Sequence, residues 1–159
     1  MLKKYKIPAT IFLTAGFIGK DLTFSRYHDK EKDRFLKWEE IRRMMNFNID
    51  FGSHSLTHPH LTEIEDEKAW EEIYNSKVII EEKTEKKIDF FCYPYGEFDE
   101  RIISMVKKAG YKAAVVTVKG KVKKGKYTLP RIGIYGHNNF LIFRVKIWKA
   151  KLISKKFSL

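Results

Sequence analysis

Three histidines, His54, His58 and His60, fall in the stretch DFGSHSLTHPHL from Asp50 to Leu61. If the segment after Ser53 coils into one helical turn, positions i and i+4 share a face. The rings of His54 and His58 would then converge on one point, a geometry that suits a divalent metal such as zinc. Gly52 and Ser53 are small enough to let the backbone pass close to that point. Taken alone, the spacing serves polar loop histidines without a metal equally well. His28, in the charged segment 21–37, reads as a solvated surface histidine. Cys92, the single cysteine, has no base beside it in its motif and reads as a buried apolar residue rather than a nucleophile.

The elements that must hold these residues follow from hydrophobic period and capping. Met1–Lys6 reads as the last turn of a helix. Ile7–Ala15 is an apolar run rich in β-formers and predicts a buried strand. Trp38–Asn46 reads as a helix with acids first and arginines last, which complements its dipole. Ile49–Ser53 is the next strand. Thr62–Glu65 is a capping-box pattern that opens a long helix to about Lys86, with Ala69, Trp70, Ile73 and Tyr74 as its apolar stripe. Asp89–Cys92 predicts a short strand, and Asp99 caps a helix that buries Ile102, Ile103 and Val106 before Gly110. Ala113–Val118 and Leu129–Tyr135 read as strands, and Asn139–Lys156 as a basic helix. Strands alternating with helices predict a mostly parallel α/β layer or barrel. In such folds sites form at the C-terminal ends of strands, so His54 and the Pro94-Tyr95-Gly96 turn share one rim.

The chain has 159 residues, 43% of them hydrophobic and 14% aromatic, which supports a folded domain rather than disorder. No linker or internal repeat divides it, so residues 1–159 read as a single domain. No run of eighteen apolar residues suggests a transmembrane helix, and no leader opens the chain. The net charge of +12 admits nucleic acid, an anionic membrane or an anionic polymer as partner. No nucleic-acid motif accompanies that charge, so no specific nucleic-acid partner is expected. Peripheral contact with an anionic surface falls to the basic tail, Arg144–Lys156.

Four segments in order resemble the metal-dependent polysaccharide deacetylases (carbohydrate esterase family 4). They are IPATIFLTAGFIG, FGSHSLTHPHLTEI, FFCYPYGEFDERIISMVKKAGYKAAVVT and LPRIGIY. The resemblance implies a distorted (β/α) barrel that removes N-acetyl groups from amino-sugar polymers or oligosaccharides. It implies that His54 and His58 are ligands to a divalent metal, zinc first among them. It implies that Pro94, Tyr95 and Gly96 line the substrate groove, with the Tyr95 backbone N–H helping to bind the oxyanion. The implied chemistry is a metal that polarises the amide carbonyl and activates water, a carboxylate base, and an acid for the leaving amine. Members of the family usually work outside the cytoplasm; this chain by itself does not give a compartment.

Three departures shape the expectations. Family members begin with a strand ending in a Thr-Phe-Asp-Asp-Gly motif, which supplies the third ligand and the base, and this chain does not contain it. The barrel is therefore expected to be incomplete for lack of its first strand, and the chain to be a truncated, weakly active form. A non-catalytic glycan-binding descendant is the alternative. Asp50 is a poor substitute, because four extended residues set it about 13 Å from His54. Second, Cys92 stands where many members have an arginine; Arg131 is the candidate to supply that charge and to bind substrate. Third, the family's late acid motif is not matched, and His137, in IYGHNN, is the remaining candidate acid.

Overall fold

A computed structural model of the chain describes residues 2–20, 34–117 and 125–157, the last eight as backbone only. His28 and most of the basic turn at 119–126 lie outside the described residues. The element order is α1 (Leu2–Tyr5), β1 (Ala9–Leu13), α2 (Trp38–Met44), β2 (Ile49–Ser53), α3 (Asp66–Thr84), β3 (Phe90–Cys92), α4 (Glu100–Lys108), β4 (Ala113–Thr117), β5 (Leu129–Arg131) and α5 (Phe140–Phe157). Among the described residues all strand pairings are parallel, and the strands lie side by side in chain order, β1-β2-β3-β4-β5. A doubly wound sheet reverses its order at a switch point. This sheet does not reverse, which is the progression of a (β/α) barrel, and among the described residues it is not closed. The incomplete barrel read from the sequence is the architecture observed.

Register places the chemistry. Leu13 pairs with Ser53, Ser53 with Phe91, Cys92 with Val115 and Thr117 with Arg131. The C-terminal ends of all five strands therefore meet at one rim, where His54, Tyr93, Thr117 and Arg131 emerge. Asp50 sits at the opposite end, in a cavity of about 330 Å³ shared with Lys86, Lys87 and Asp89. It is remote from the histidines, as its place in β2 requires.

Helix α3 touches β2, and its buried face is Ala69, Ile73, Ser76, Ile80 and Thr84. The expected stripe was partly different. Ala69 and Ile73 are buried and Trp70 packs against the core, but Tyr74, whose ring stacks on Trp70 at 5.1 Å, is exposed. The inner face instead continues through Ser76, whose hydroxyl meets the Ser53 hydroxyl at 2.7 Å and donates to the Ile73 carbonyl. The capping box at Thr62–Glu65 does not form, and α3 starts at Asp66. Arg101 explains this: its guanidinium donates to the carbonyls of Leu61 and Ile64 and pairs with Asp66 at 2.7 Å. That grip holds Leu61–Glu63 as a separate 3-10 turn and leaves Ile64 and Glu65 extended.

The Asp99 cap forms as expected, its carboxylate accepting from the Ile102 N–H at 2.8 Å. Strand β5 is shorter than the expected Leu129–Tyr135. Its partner β4 ends at Thr117, opposite Arg131, so Ile132–Tyr135 have no strand to pair with among the described residues. Helix α5 begins where Asn139 accepts the Ile142 N–H at 2.9 Å. Among the described residues no helix is long and apolar enough to cross a membrane.

Candidate functional site

His54 leaves the end of β2 with its backbone N–H still bonded to Leu13 O at 2.8 Å. The segment to His58 is not helical, contrary to the expected turn. Ser55 and His58 both adopt left-handed backbone, φ 62° and 64°. The Ser55 hydroxyl accepts the His58 N–H at 2.9 Å, and Glu72 of α3 accepts the Leu56 and Thr57 N–H groups at 2.8 and 2.7 Å. This anchored bend brings the two imidazoles together edge to face, with centroids 4.7 Å apart. Sequence spacing had the right pair for a different backbone reason.

The tautomer of His54 follows from its partner. Its Nδ1 lies 2.7 Å from the Cys92 carbonyl, and a carbonyl only accepts, so Nδ1 carries the proton and Nε2 keeps a free lone pair. Burial pushes the His54 imidazole down to about 4. Burial also lowers His58. Both rings are thus neutral near pH 7, the form that ligates metals.

The second half of the site is the 3-10 turn over Pro94–Gly96 that follows β3. Tyr95 has φ 57° and Gly96 φ 77°. A Cβ on Gly96 would overlap the Thr117 carbonyl oxygen, so only glycine fits there. The Gly96 and Glu97 N–H groups close the turn onto Tyr93 O and Pro94 O at 3.0 and 3.1 Å. Among the described residues no backbone carbonyl takes the Tyr95 N–H. The Tyr95 ring stacks flat on His60 at 3.8 Å and meets His58 edge-on at 4.6 Å. His60 Nδ1 pairs with Glu97 at 2.7 Å, which raises the imidazole. Sequence reasoning gave no role to His60, Glu97 or Glu72. Pro59-His60 and Gly96-Glu97 flank the motifs directly, so that pair was within reach; Glu72, fourteen positions past His58, was not.

Arg131 and Cys92 meet at the same rim. Arg131 Nη2 donates to Cys92 Sγ and to Thr117 Oγ1, both at 2.9 Å. A guanidinium from β5 thereby reaches the Cys92 side chain. The thiol is buried, and burial pushes it up to about 11, so it stays neutral. Beyond Tyr95 opens a groove of about 630 Å³, walled by Tyr95, Thr117, Arg131, Tyr135 and Lys146. His137 is exposed and stacks on Tyr135 at 5.5 Å. It therefore stands on the Tyr135 wall of the groove, and its ring is not brought against His54 or His58.

The imidazole pair fits a divalent cation in charge state and in convergence. It supplies two donors, where a catalytic zinc takes three protein ligands. Among the described residues no group of three His, Cys, Asp or Glu side chains converges to hold a metal.

Comparison with known proteins gives this geometry a family. YxkH of Bacillus subtilis (strain 168) is 26% identical over 136 residues, covering 84% of this chain and 44% of that protein. The poly-beta-1,6-N-acetyl-D-glucosamine N-deacetylase of Staphylococcus aureus (strain MRSA252) is 24% identical over 143 residues, covering 83% and 47%. The chain thus spans about half the length of the curated relatives it matches. Among solved structures, the Streptococcus pyogenes deacetylase PplD, in complex with acetate, shares the fold with a TM-score of 0.76 at 20% identity, covering 91% of this chain and 61% of that one. BA3943 from Bacillus anthracis, a CE4 family pseudoenzyme, shares it with a TM-score of 0.56 at 21% identity, covering 71% and 34%. The family model for polysaccharide deacetylase matches residues 1–114, a span that contains both the His54–His60 bend and the Tyr93–Gly96 turn, and the chain belongs to the polysaccharide deacetylase family.

Proposed function

We propose that residues 1–159 form one domain that contributes the metal-binding and groove-lining half of a deacetylase acting on N-acetyl groups of amino-sugar polymers. The observation that carries this reading is the neutral His54–His58 pair, with His54 Nε2 left free and His58 against the Tyr95 ring. His54 and His58 would hold a divalent metal, zinc by preference. Such a metal supplies polarisation of the amide carbonyl and activation of water. The Cys92 carbonyl fixes the His54 ring so that Nε2 faces outward from its hydrogen bond. The Tyr95 N–H would receive developing negative charge on the carbonyl oxygen. Pro94 and Gly96 shape the turn, Tyr95 and Arg131 contact the sugar, and His137 is the candidate proton donor to the leaving amine. A carboxylate-bearing strand paired to the edge of β1, unpaired among the described residues, would supply a third donor and a base. Joining a Thr-Phe-Asp-Asp-Gly strand ahead of the chain should give metal-dependent acetate release from N-acetylglucosamine oligomers, lost in His54→Ala. No release from the extended protein sinks the enzyme reading.

One observation favours a second reading, glycan binding without catalysis: the site has two donors, and no third converges on them among the described residues. The likeness to a pseudoenzyme is consistent with it. Glycan binding that survives His54→Ala and chelator would select this reading. The tail carries a separate contact. Helix α5 has six Lys or Arg and no Asp or Glu, and Phe140, Leu141 and Trp148 are 74%, 69% and 62% exposed. A basic, aromatic-bearing helix suits an anionic surface. Deleting residues 144–156 should abolish association with anionic vesicles, and unchanged association removes the idea.

A further inference from the structure

The groove beside Tyr95 contains two cations that meet only neutral acceptors. Arg131 Nη2 donates to a thiol sulfur and a threonine hydroxyl. Lys146 Nζ donates to the Gly133 carbonyl and the Asn138 amide oxygen, both at 2.7 Å. Several cations elsewhere are neutralised instead. Arg34, Arg42, Lys77, Arg101 and Lys112 each pair with a carboxylate. Among the described residues no Asp or Glu lines this groove or pairs with Arg131 or Lys146.

Donor inventory shows what is left over. An ammonium has three N–H bonds and a guanidinium five. Two are used on each, which leaves one on Lys146 and three on Arg131. The neutral acceptors fix the positions of the two head groups without cancelling their charge. Tyr95 and Tyr135, both 55% exposed, wall the same groove and offer exposed ring surface for a sugar to pack against. Lys146 Nζ lies 5.0 Å from the centroid of the Tyr135 ring, so charge and platform adjoin.

We propose that this groove is a subsite for an anionic substituent, a phosphate or carboxylate group carried by the acetylated glycan. It rests on the deacetylase reading for the glycan and on the two uncompensated cations for the charge. Lys146 is the specificity-determining residue, because its helix is outside the histidine and Tyr95 machinery. Arg131 contributes the second charge.

The test is equilibrium binding to the full 159-residue chain at low ionic strength. Three probes are compared: a neutral N-acetylglucosamine tetramer, the tetramer bearing one 6-phosphate, and the tetramer oxidised to one 6-carboxylate. One charge-assisted hydrogen bond at a partly exposed site predicts about tenfold tighter binding of an anionic tetramer over the neutral one. Whichever anionic probe gains identifies the group. The gain should shrink as salt is added, disappear in Lys146→Gln and persist in Lys146→Arg. Equal affinity for all three tetramers, or a gain kept in Lys146→Gln, overturns the subsite and leaves the deacetylase reading standing. If no tetramer binds, the glycan reading of the groove fails instead. Inorganic phosphate then decides the subsite: a saturable shift of the Arg131 side-chain signal, weakened in Lys146→Gln, sustains an anion site, and no shift, or an equal one in the variant, overturns it.

Discussion

Replacing Glu72 by Ala tests how the histidine pair is held. The Glu72 carboxylate takes the Leu56 N–H, the Thr57 N–H and the Thr57 hydroxyl at 2.8, 2.7 and 2.5 Å. Hydrogen bonds to a charged group are worth about 1.5–3 kcal/mol when shielded, and nearer 1 kcal/mol where water can replace them. The Thr57 end is exposed, so the two backbone bonds together contribute about 2 kcal/mol. They also restrain a bend that places Ser55 and His58 at φ 62° and 64°. Left-handed backbone costs a non-glycine residue about 1–2 kcal/mol, so the bend tends to relax once the restraint is gone. Glu72→Ala should therefore lower unfolding free energy by roughly 2 kcal/mol in urea titrations followed by tryptophan fluorescence. Zinc affinity, measured by calorimetry, should fall by about tenfold or more, the usual effect of losing a residue that orients a ligand. Unchanged stability and affinity would refute the anchoring role. Lost stability with unchanged affinity would show that the bend holds its geometry without the anchor.

The remaining expectations concern pH and backbone. The metal-free protein holds His54 neutral, near 4 against 6.5 for a solvated imidazole. Its contribution is full above pH 6.5 and is lost as pH falls from 6.5 through 4, about 3 kcal/mol in all. His60, raised by Glu97, works in the opposite sense, its contribution present below pH 6.5 and fading as pH rises. Urea midpoints between pH 7 and 4 should drop less steeply in His54→Gln than in the parent; equal slopes would contradict the assignment. Gly96→Ala puts a methyl group against the Thr117 carbonyl at φ 77° and should cost about 2 kcal/mol or more in the same assay. A neutral result would show that the turn has room to move. Asp99→Ala removes the α4 cap and should cost about 1 kcal/mol, with Asp99→Asn or Asp99→Ser largely restoring it.

Local signals in the sequence were readable where a single element settles the outcome. Strand β2 spans Ile49–Ser53 as its burial pattern implies, and Asp99 caps α4 because the cap needs only the helix that follows it. The spacing of His54 and His58 offered them as a pair. The bend that pairs them could not, because it depends on Glu72 reaching across from α3. The capping-box pattern at Thr62–Glu65 failed for the same kind of reason: Arg101, more than thirty positions later, takes the Ile64 carbonyl that the first turn would have used. The meeting of Arg131 with Cys92 rests on sheet register between β3, β4 and β5, which a motif does not encode. Lys146 gave no signal, since a lysine on a basic helix has nothing to mark it until α5 is placed beside the groove.

The measurement that bears most directly on the central claim is zinc titration of protein with ¹⁵N-labelled histidine, read at the imidazole nitrogens. His54 Nε2 and one nitrogen of His58 should shift together and saturate, while His54 Nδ1 keeps its proton and His60 and His137 stay unmoved. Shifts that miss His54 and His58, or zinc binding that is unchanged in the His54→Ala, His58→Ala double variant, would contradict the account.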